Sequence, residues 1–255
     1  MTQRSLNGTA TMQNVGMASS LAHQGFWLFR WRSYLPASLI PLFLIAILQD
    51  QAATNGICLV ASMVVAYLGL ACRCFIVGHV PDGTSGRNTK QQIADVLNQT
   101  GAYSLVRHPL YVANFIIFFG LLLQVQSLWL CLVASLAYWM YYERIICAEE
   151  HFLHGKFGET FRQWASRTPA VVPNFSHWCK PSLPFSWKMV LRREYSTLFL
   201  VICAQVAIVI VRVRDVSTVS QYWLLGCYFA AGAGVYFGLR WLKKNTACLY
   251  VPPRS

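Results

Sequence analysis

Long apolar runs separated by short polar segments are the main pattern of this chain of 255 residues. Several runs approach or exceed the roughly 20 residues that an α-helix needs to cross the hydrocarbon core of a bilayer. Six spans are predicted, near residues 35–48, 57–79, 111–126, 127–147, 195–211 and 221–242. The pattern therefore predicts an all-α integral membrane protein with about six transmembrane helices.

The third and fourth spans are joined by a very short polar connection, Gln124-Val-Gln-Ser127. So short a link predicts a tight helical hairpin, which we take as the core of the fold. Polar segments flank the hairpin at 80–111 and 143–175, and we expect them to form a cofactor pocket at its open end. The expected organisation is a disordered cytosolic tail at residues 1–25, a membrane core at 26–194, and two additional spans with a basic C-terminal tail at 195–255.

Composition and charge support a membrane protein rather than a nucleic-acid-binding one. Charged residues make up 12% of the chain, against about a quarter in soluble domains. If the N-terminus is cytosolic, 19 of the 21 Lys and Arg residues fall on the cytosolic side, and only Arg212 and Arg214 fall outside. The positive-inside rule produces such a distribution, so both termini are predicted in the cytosol. The net charge of +12 then reflects topology, and no nucleic acid partner is expected.

Small residues recur at every fourth position of the last span, at Gly226, Ala230, Gly234 and Gly238. This spacing places them on one stripe of the helix, where another backbone can approach closely. The stripe predicts packing within the bundle or a homodimer of two chains.

A dense polar cluster is predicted at the inner end of the hairpin. The stretch Gly101-Ala-Tyr-Ser-Leu-Val-Arg-His-Pro-Leu-Tyr111 precedes the third span, and Glu149-Glu-His-Phe-Leu153 follows the fourth. The short hairpin should bring the two stretches together at its cytosolic end. Ionisable groups are costly to keep at the edge of a bilayer, so such a cluster indicates a functional site.

The residue types in this cluster suit a ligand of mixed charge. Arg107 can hold a carboxylate or phosphate, and Glu149 or Glu150 can hold an ammonium group or hydroxyls. Aromatic faces for a ring or an onium cation are available at Tyr103, Tyr111, Tyr141 and Tyr142. S-Adenosylmethionine, a zwitterionic sulfonium compound, carries all of these groups. The spacing of Glu150, His151 and His154 also suits a metal, but interfacial side chains are the preferred interpretation and no metal is predicted.

The run Leu97-Asn-Gln-Thr-Gly-Ala-Tyr103, then Arg107-His-Pro-Leu-Tyr111 and Glu149-Glu-His-Phe-Leu153, resembles the isoprenylcysteine carboxyl methyltransferase family. That superfamily also includes phospholipid N-methyltransferases, and the resemblance covers about residues 57–175. It implies a helical methyltransferase of the bacterial inner membrane or endoplasmic reticulum. S-Adenosylmethionine would bind in a cytosolic pocket, and a lipid or lipidated acceptor would enter from the bilayer. The residues carried over to the cofactor are Asp95, Val96, Leu97, Asn98, Gly101, Tyr103, His108, Pro109, Leu110, Tyr111 and Glu149.

The chain departs from the family at the arginine that binds the acceptor, four residues before the first motif glutamate. That position is Ile145 here, and Arg144 is its neighbour. We expect Arg144 and Arg107 to clamp an anionic acceptor, and Glu150 to act as the base if the acceptor is an amine. The many basic residues favour O-methylation of an anionic lipid head group or a lipidated carboxylate.

Two other classes of function are compatible with the sequence. One is an NADPH-dependent membrane reductase acting on a lipid or sterol, because a similar helical architecture can bind that cofactor. The other is a non-catalytic membrane protein or transporter, which predicts charged side chains inside the spans. Arg73 and Glu143 are expected at span edges instead.

Overall fold

The computed structural model describes residues 24–30, 38–49, 56–81, 84, 94–212, 219–252 and 254. The expected tail lies outside these residues, except for its last two positions. All regular structure in the described part is helical. The helices are α1 (24–30), α2 (Ile40–Gln49), α3 (Gly56–Gly78), α4 (Ala102–Leu105), α5 (Pro109–Val125), α6 (Leu128–Arg167), α7 (Trp187–Arg212) and α8 (Val219–Asn245), with a 3-10 turn at Phe175–His177.

Three of these helices are long and apolar enough to cross a bilayer: α3, α7 and the Tyr222–Asn245 part of α8. Helices α2 and α5 are apolar but shorter, with 10 and 17 residues. Helix α6 joins the fourth predicted span to the polar segment after it in one element of 40 residues. The all-helical membrane class is therefore confirmed, and the count of six spans stays a prediction.

The predicted hairpin is present as α5 and α6. Helix α5 ends at Val125 and α6 begins at Leu128, so only Gln126 and Ser127 connect them. Gln126 takes the left-handed conformation at φ 58°, which closes the turn as its amide donates to the Leu123 carbonyl at 3.0 Å. At the end of α7, Arg212 donates to the Val125 carbonyl. The tip of the hairpin is thus tied to α7.

Helices α3 and α5 pack closely because small residues lie at their crossing. A Cβ atom on Gly120 would lie 2.5 Å from the Ala66 nitrogen, and one on Gly69 would lie 2.6 Å from the Ile117 nitrogen. Ala66 and Ala113 are almost fully buried at the same contact. Small side chains allow two helix backbones to approach in this way. The crossing fixes α5, which carries the first polar stretch at its N-terminus.

The expectation that charged side chains stay at the span edges was wrong for Arg73. Arg73 lies inside α3, is buried, and pairs with Glu194 of α7. The sequence pattern hid the pair because Glu194 was counted in a polar loop before a span beginning at residue 195. In the structure, α7 already begins at Trp187, so the expected boundary at residue 194 falls within a helix.

Replacing Gly120 by valine should destabilise the protein, because the added side chain collides with the α3 backbone. Overpacking of this kind costs about 1–3 kcal/mol. The matched control is Gly56→Val at the start of α3, where an added Cβ meets nothing within 4 Å. Thermal unfolding of both variants in detergent would measure the difference. Equal midpoints would contradict the close α3–α5 crossing.

Candidate functional site

Arg107 binds the second half of α6 to the segment between α4 and α5. Its Nε and Nη2 donate to the two carboxylate oxygens of Glu150, at 2.8 and 3.2 Å. Its Nη1 donates to the carbonyls of Ala165 and Thr168, at 2.7 and 2.8 Å. The Arg107 amide also donates to the Pro169 carbonyl at 2.9 Å. One residue therefore holds together both polar stretches and the C-terminal end of α6.

These bonds give Arg107 a different role from the one expected. All three guanidinium nitrogens donate to protein oxygens, and the side chain is only 16% exposed. A guanidinium engaged in this way positions its neighbours rather than clamping an acceptor. The prediction that the two polar stretches meet is correct, whereas the contacts of Arg107 assign it to positioning.

His108 lies between the two glutamates. Its Nε2 is 3.0 Å from a Glu150 oxygen, and its Nδ1 is 3.5 Å from a Glu149 oxygen. The ring is buried. Burial by itself would lower the pKa of His108, but hydrogen bonds and charge from Glu149 and Glu150 outweigh it and raise the pKa. The imidazole is therefore held toward its cationic form, with both ring nitrogens facing carboxylates.

Glu150 is a poor general base in this setting. Burial would raise the pKa of its carboxyl, but the hydrogen bond and charge of His108 and the guanidinium of Arg107 together lower it. A carboxylate stabilised in its charged form by two cations has little tendency to take a proton. The contacts thus weaken the expected base role and leave Glu150 as the partner that orients His108.

Glu149 pairs with a tyrosine in the cluster. Tyr111 donates its hydroxyl to a Glu149 oxygen at 2.5 Å, and its ring lies 4.6 Å from the ring of Tyr142. The Tyr111 carbonyl accepts a bond from the Tyr138 hydroxyl at 2.8 Å. The result is a carboxylate beside two aromatic faces, a combination that suits a cationic ligand.

Other predicted cofactor residues lie on a second surface. Asn98 and Tyr103 line a small cavity with His79 and Ser182, and no residue of the Arg107–His108–Glu150 group lines it. Gly101 takes φ 60° beside Pro181, where a side chain would be strained, and its amide donates to the Cys179 carbonyl. The segment at 95–103 is therefore held by the polypeptide around residues 179–182.

The remaining predicted cofactor positions make simpler contributions. Asp95, Val96 and Leu97 lie in an irregular segment, and Val96 is exposed. Pro109 occupies the first turn of α5, where its missing amide hydrogen costs nothing. Leu110 packs against the apolar cluster formed by the ends of α3 and α7.

Arg144 does not join the cluster. Its Nε donates to the Gln24 side chain of α1 at 3.2 Å, and its Nη1 donates to the Met140 carbonyl. Ile145, at the position of the family's arginine, is fully buried. One helical step corresponds to about 100° of rotation, so neighbouring residues face different directions. In these contacts Arg144 does not take the place of that arginine, and its expected part in clamping an acceptor stays a prediction.

Two residues that help to hold the site were not predicted. Trp164 is buried and its Nε1 donates to the Tyr103 carbonyl at 3.3 Å. The Ser104 hydroxyl accepts a hydrogen bond from the Cys179 amide at 2.9 Å and donates one to the Gly101 carbonyl. A change of direction at Gly158, where φ is 53°, precedes the last turns of α6. Trp164 itself is visible in the sequence, but its partner Tyr103 lies 61 residues earlier, so no local pattern reveals the bond.

Replacing Arg107 by alanine should cost about 1–3 kcal/mol of stability, because a charged partner and two carbonyls lose their bonds together. The matched control is Arg162→Ala on α6, where the exposed pair with Glu159 should contribute less than about 1 kcal/mol. Thermal or denaturant unfolding in detergent would measure both. Equal losses in the two variants would contradict the positioning role of Arg107.

The His108–Glu150 pair predicts a stability maximum between acid and alkaline pH. The raised pKa of His108 gives stability that is fully present below its ordinary value of 6.5 and lost as the pH rises through the higher folded value. The lowered pKa of Glu150 gives stability that is present above its ordinary value of 4.5 and lost as the pH falls through the lower folded value. Melting curves from about pH 4 to about pH 9 should fall at both ends, and His108→Gln should flatten the alkaline side. An unchanged alkaline decline in that variant would contradict the pairing.

Comparison with known proteins finds a family model and relatives that match part of this chain. The family model for phospholipid methyltransferases matches residues 82–160, which include both polar stretches. Protein-S-isoprenylcysteine O-methyltransferase of Schizosaccharomyces pombe is 31% identical over 85 residues, covering 33% of this chain and 36% of that protein. No solved structure matches at a significant level.

Two further relatives carry names from metal resistance. The nickel-cobalt-cadmium resistance protein NccN of Alcaligenes xylosoxydans xylosoxydans is 39% identical over 92 residues, covering 36% of this chain and 40% of that protein. The cobalt-zinc-cadmium resistance protein CzcN of Cupriavidus metallidurans is 42% identical over 82 residues, covering 32% of this chain and 38% of that protein. Among the residues that the structure describes, no group of three or more His, Cys, Asp or Glu side chains is placed to hold a metal ion.

The chain spans about two fifths of the length of the curated relatives it matches, so their names describe those proteins and not this one. The matching segment nevertheless contains the hairpin and the polar cluster built upon it. Over residues 82–160 the chain is similar to the phospholipid methyltransferase family, and over a segment of 85 residues it is similar to an isoprenylcysteine methyltransferase.

Proposed function

We propose that this chain is an integral membrane methyltransferase that uses S-adenosylmethionine to methylate an acceptor embedded in the bilayer. The acceptor is an anionic oxygen of a lipid head group or of a lipidated carboxylate. The observation that carries the proposal is His108, buried between Glu149 and Glu150 at the open end of the α5–α6 hairpin.

The residues of the cluster fit the charges of this cofactor. Glu149 offers a carboxylate to an ammonium group or to hydroxyls, and the rings of Tyr111 and Tyr142 offer faces to a sulfonium. When bound, S-adenosylmethionine supplies an electrophilic methyl group. The work left to the protein is to hold the reactants close and exclude water, which can contribute about 7–11 kcal/mol to a rate. Arg107 and Glu150 serve this purpose by keeping His108 and α5 in place.

The electrostatics favour oxygen over nitrogen as the acceptor atom. A protonated amine must lose a proton before it attacks, and the lowered pKa of Glu150 makes this carboxylate a weak base. A carboxylate or phosphate is already a nucleophile at neutral pH. The buried Ile145 gives no cationic side chain at the family's acceptor position, so we do not transfer isoprenylcysteine to this chain as the substrate.

Charge distribution supports a multi-pass orientation with both termini and the cluster in the cytosol. The segment that follows the cluster has exposed basic and aromatic side chains, among them Lys180, Trp187, Lys188 and Arg192. Such a segment suits the anionic surface of a cytosolic leaflet. The bacterial inner membrane and the endoplasmic reticulum both provide that surface.

Association of two chains through α8 is part of the proposal. At the glycines of the predicted stripe, Gly226, Gly234 and Gly238, an added Cβ would meet no atom of the other described helices within 4 Å. The stripe therefore faces away from the described helices and offers a close contact to a second copy.

Transfer of a tritiated methyl group from S-adenosylmethionine to the lipid fraction of host membranes tests this function. Purified wild-type protein should label that fraction, and Glu149→Gln and His108→Asn should reduce labelling by at least about a hundredfold, because a carboxylate or its buried partner is lost. The control Glu159→Gln, in an exposed pair, should label normally.

Treatment with base identifies the atom that receives the methyl group. A carboxylate methyl ester releases labelled methanol in mild base, whereas a methyl phosphodiester and an N-methyl group both stay bound. Mass spectrometry of the base-stable lipid separates the last two, and an N-methyl group would replace the oxygen acceptor by an amine. Absence of transfer together with lipid-dependent oxidation of NADPH would favour the reductase alternative, and inactivity with both cofactors would favour a non-catalytic membrane protein.

A further inference from the structure

A buried ion pair joins three helices inside the bundle. Arg73 of α3 donates from Nε and Nη2 to the two oxygens of Glu194 in α7, at 2.9 and 2.8 Å. Its Nη1 donates to the Asn114 side chain of α5. The side chains of Arg73 and Glu194 are only 11% and 5% exposed. A charged guanidinium and a charged carboxylate thus lie within helices that are apolar enough to cross the bilayer.

Stability alone is a weak reason to keep such a pair. Removing two charges from water is expensive, and apolar side chains of similar volume often stabilise a protein as well or better. Charged residues within membrane helices therefore indicate a function, with their partner as part of it. The pair fixes the relative positions of α3, α5 and α7. With apolar contacts alone, these helices would be free to slide along one another.

The position of Asn114 shows which part of the protein this geometry controls. Asn114 lies three residues after Tyr111 on α5, a rise of about 4.5 Å along the helix. The Tyr111 hydroxyl donates a hydrogen bond to Glu149, and the Tyr111 carbonyl accepts one from the Tyr138 hydroxyl. The first turns of α5 are thus held from one side by the Arg107–His108–Glu150 group and from the other by Arg73.

Helix α7 contacts the same region through its first turns. Met189 is buried in one cluster with Ile76 and Val80 of the α3 end and Ala113 of α5, and Tyr103 packs against that cluster. Helix α8 is tied to α7 where Lys243 donates to the Arg192 carbonyl at 3.2 Å. Residues of α7 and α8 lie outside the segment that matches the family model. The pair nevertheless brings α7 into contact with the helix that carries the site.

We propose that Arg73 and Glu194 are positioning residues for the methyltransferase site, and that α7 belongs to the functional core. This inference rests on the proposed function for its consequence in catalysis. The pair holds α5 so that Tyr111 meets Glu149 and His108 stays between the glutamates. Neither residue needs to touch the cofactor or the acceptor.

The first test is Glu194→Gln, which keeps the shape of the side chain and removes its charge. In monodisperse protein, S-adenosylmethionine should bind at least about tenfold more weakly than to wild type, corresponding to about 1.4 kcal/mol. The exposed Glu159→Gln should bind as wild type. Wild-type affinity and turnover in folded Glu194→Gln would overturn the proposal.

Charge reversal tests whether cofactor binding depends on the pairing of Arg73 with Glu194. Arg73→Glu and Glu194→Arg should each lose binding, and the double variant should recover at least half of the loss on a logarithmic scale. Rescue is expected because the Asn114 amide can turn and offer its NH₂ to a carboxylate at position 73. A double variant that folds but binds no better than either single reversal would overturn the pairing.

Hydrogen exchange tests the positioning without any cofactor. Glu194→Gln should speed exchange in a peptide covering residues 105–113, where the amides of Arg107 and His108 bond to the Pro169 and Ala170 carbonyls. A peptide from α8 should exchange as in wild type. Unchanged exchange at 105–113 would overturn the inference even if S-adenosylmethionine proved not to be the cofactor, whereas failure of wild-type binding alone would count only against the proposed function.

Discussion

The site depends on the guanidinium of Arg107. It bonds to the Glu150 carboxylate and to the carbonyls of Ala165 and Thr168, so the start of α5 and the end of α6 share one hydrogen-bonded centre. Glu150 then faces His108, and His108 faces Glu149. Charge compensation makes this arrangement possible at the edge of a bilayer, because each charged group has an opposite partner within hydrogen-bond reach or close to it. Glu149 and Tyr111 complete the group through the bond from the Tyr111 hydroxyl to the Glu149 carboxylate.

A second charged centre, formed by Arg73, Glu194 and Asn114, lies deeper on α5. Both centres are bonded to that helix. Arg107 lies in the segment that matches the family model, residues 82–160, whereas Arg73 and Glu194 lie outside it. Close α3–α5 packing at Gly69 and Gly120 connects the centres mechanically, because neither helix can shift along the other without a collision. The geometry of the site is therefore a property of the helical bundle and not of the two motifs alone.

Much of this arrangement could be predicted from the sequence. Apolar runs predicted the helical membrane class, and the short Gln124–Ser127 link predicted the hairpin that brings the two motifs together. The roles of Arg107 and Arg144 could not be predicted, because both depend on the direction of a side chain within a helical turn. Glu194 was missed for another reason. A prediction from hydropathy places charged residues outside a span, whereas in the structure Glu194 lies within α7 and pairs with Arg73, 121 residues away. Long-range partners of this kind leave no local pattern.

Calorimetric binding of S-adenosylmethionine to detergent-purified wild-type protein, with NADPH as the rival ligand, tests the central claim most directly. The account predicts micromolar binding of S-adenosylmethionine that is lost in both His108→Ala and Glu149→Ala, and no binding of NADPH. Absence of S-adenosylmethionine binding to well-folded wild-type protein would contradict the assignment of the cofactor to this cluster. Binding by both variants with the affinity of the wild type would contradict it as well.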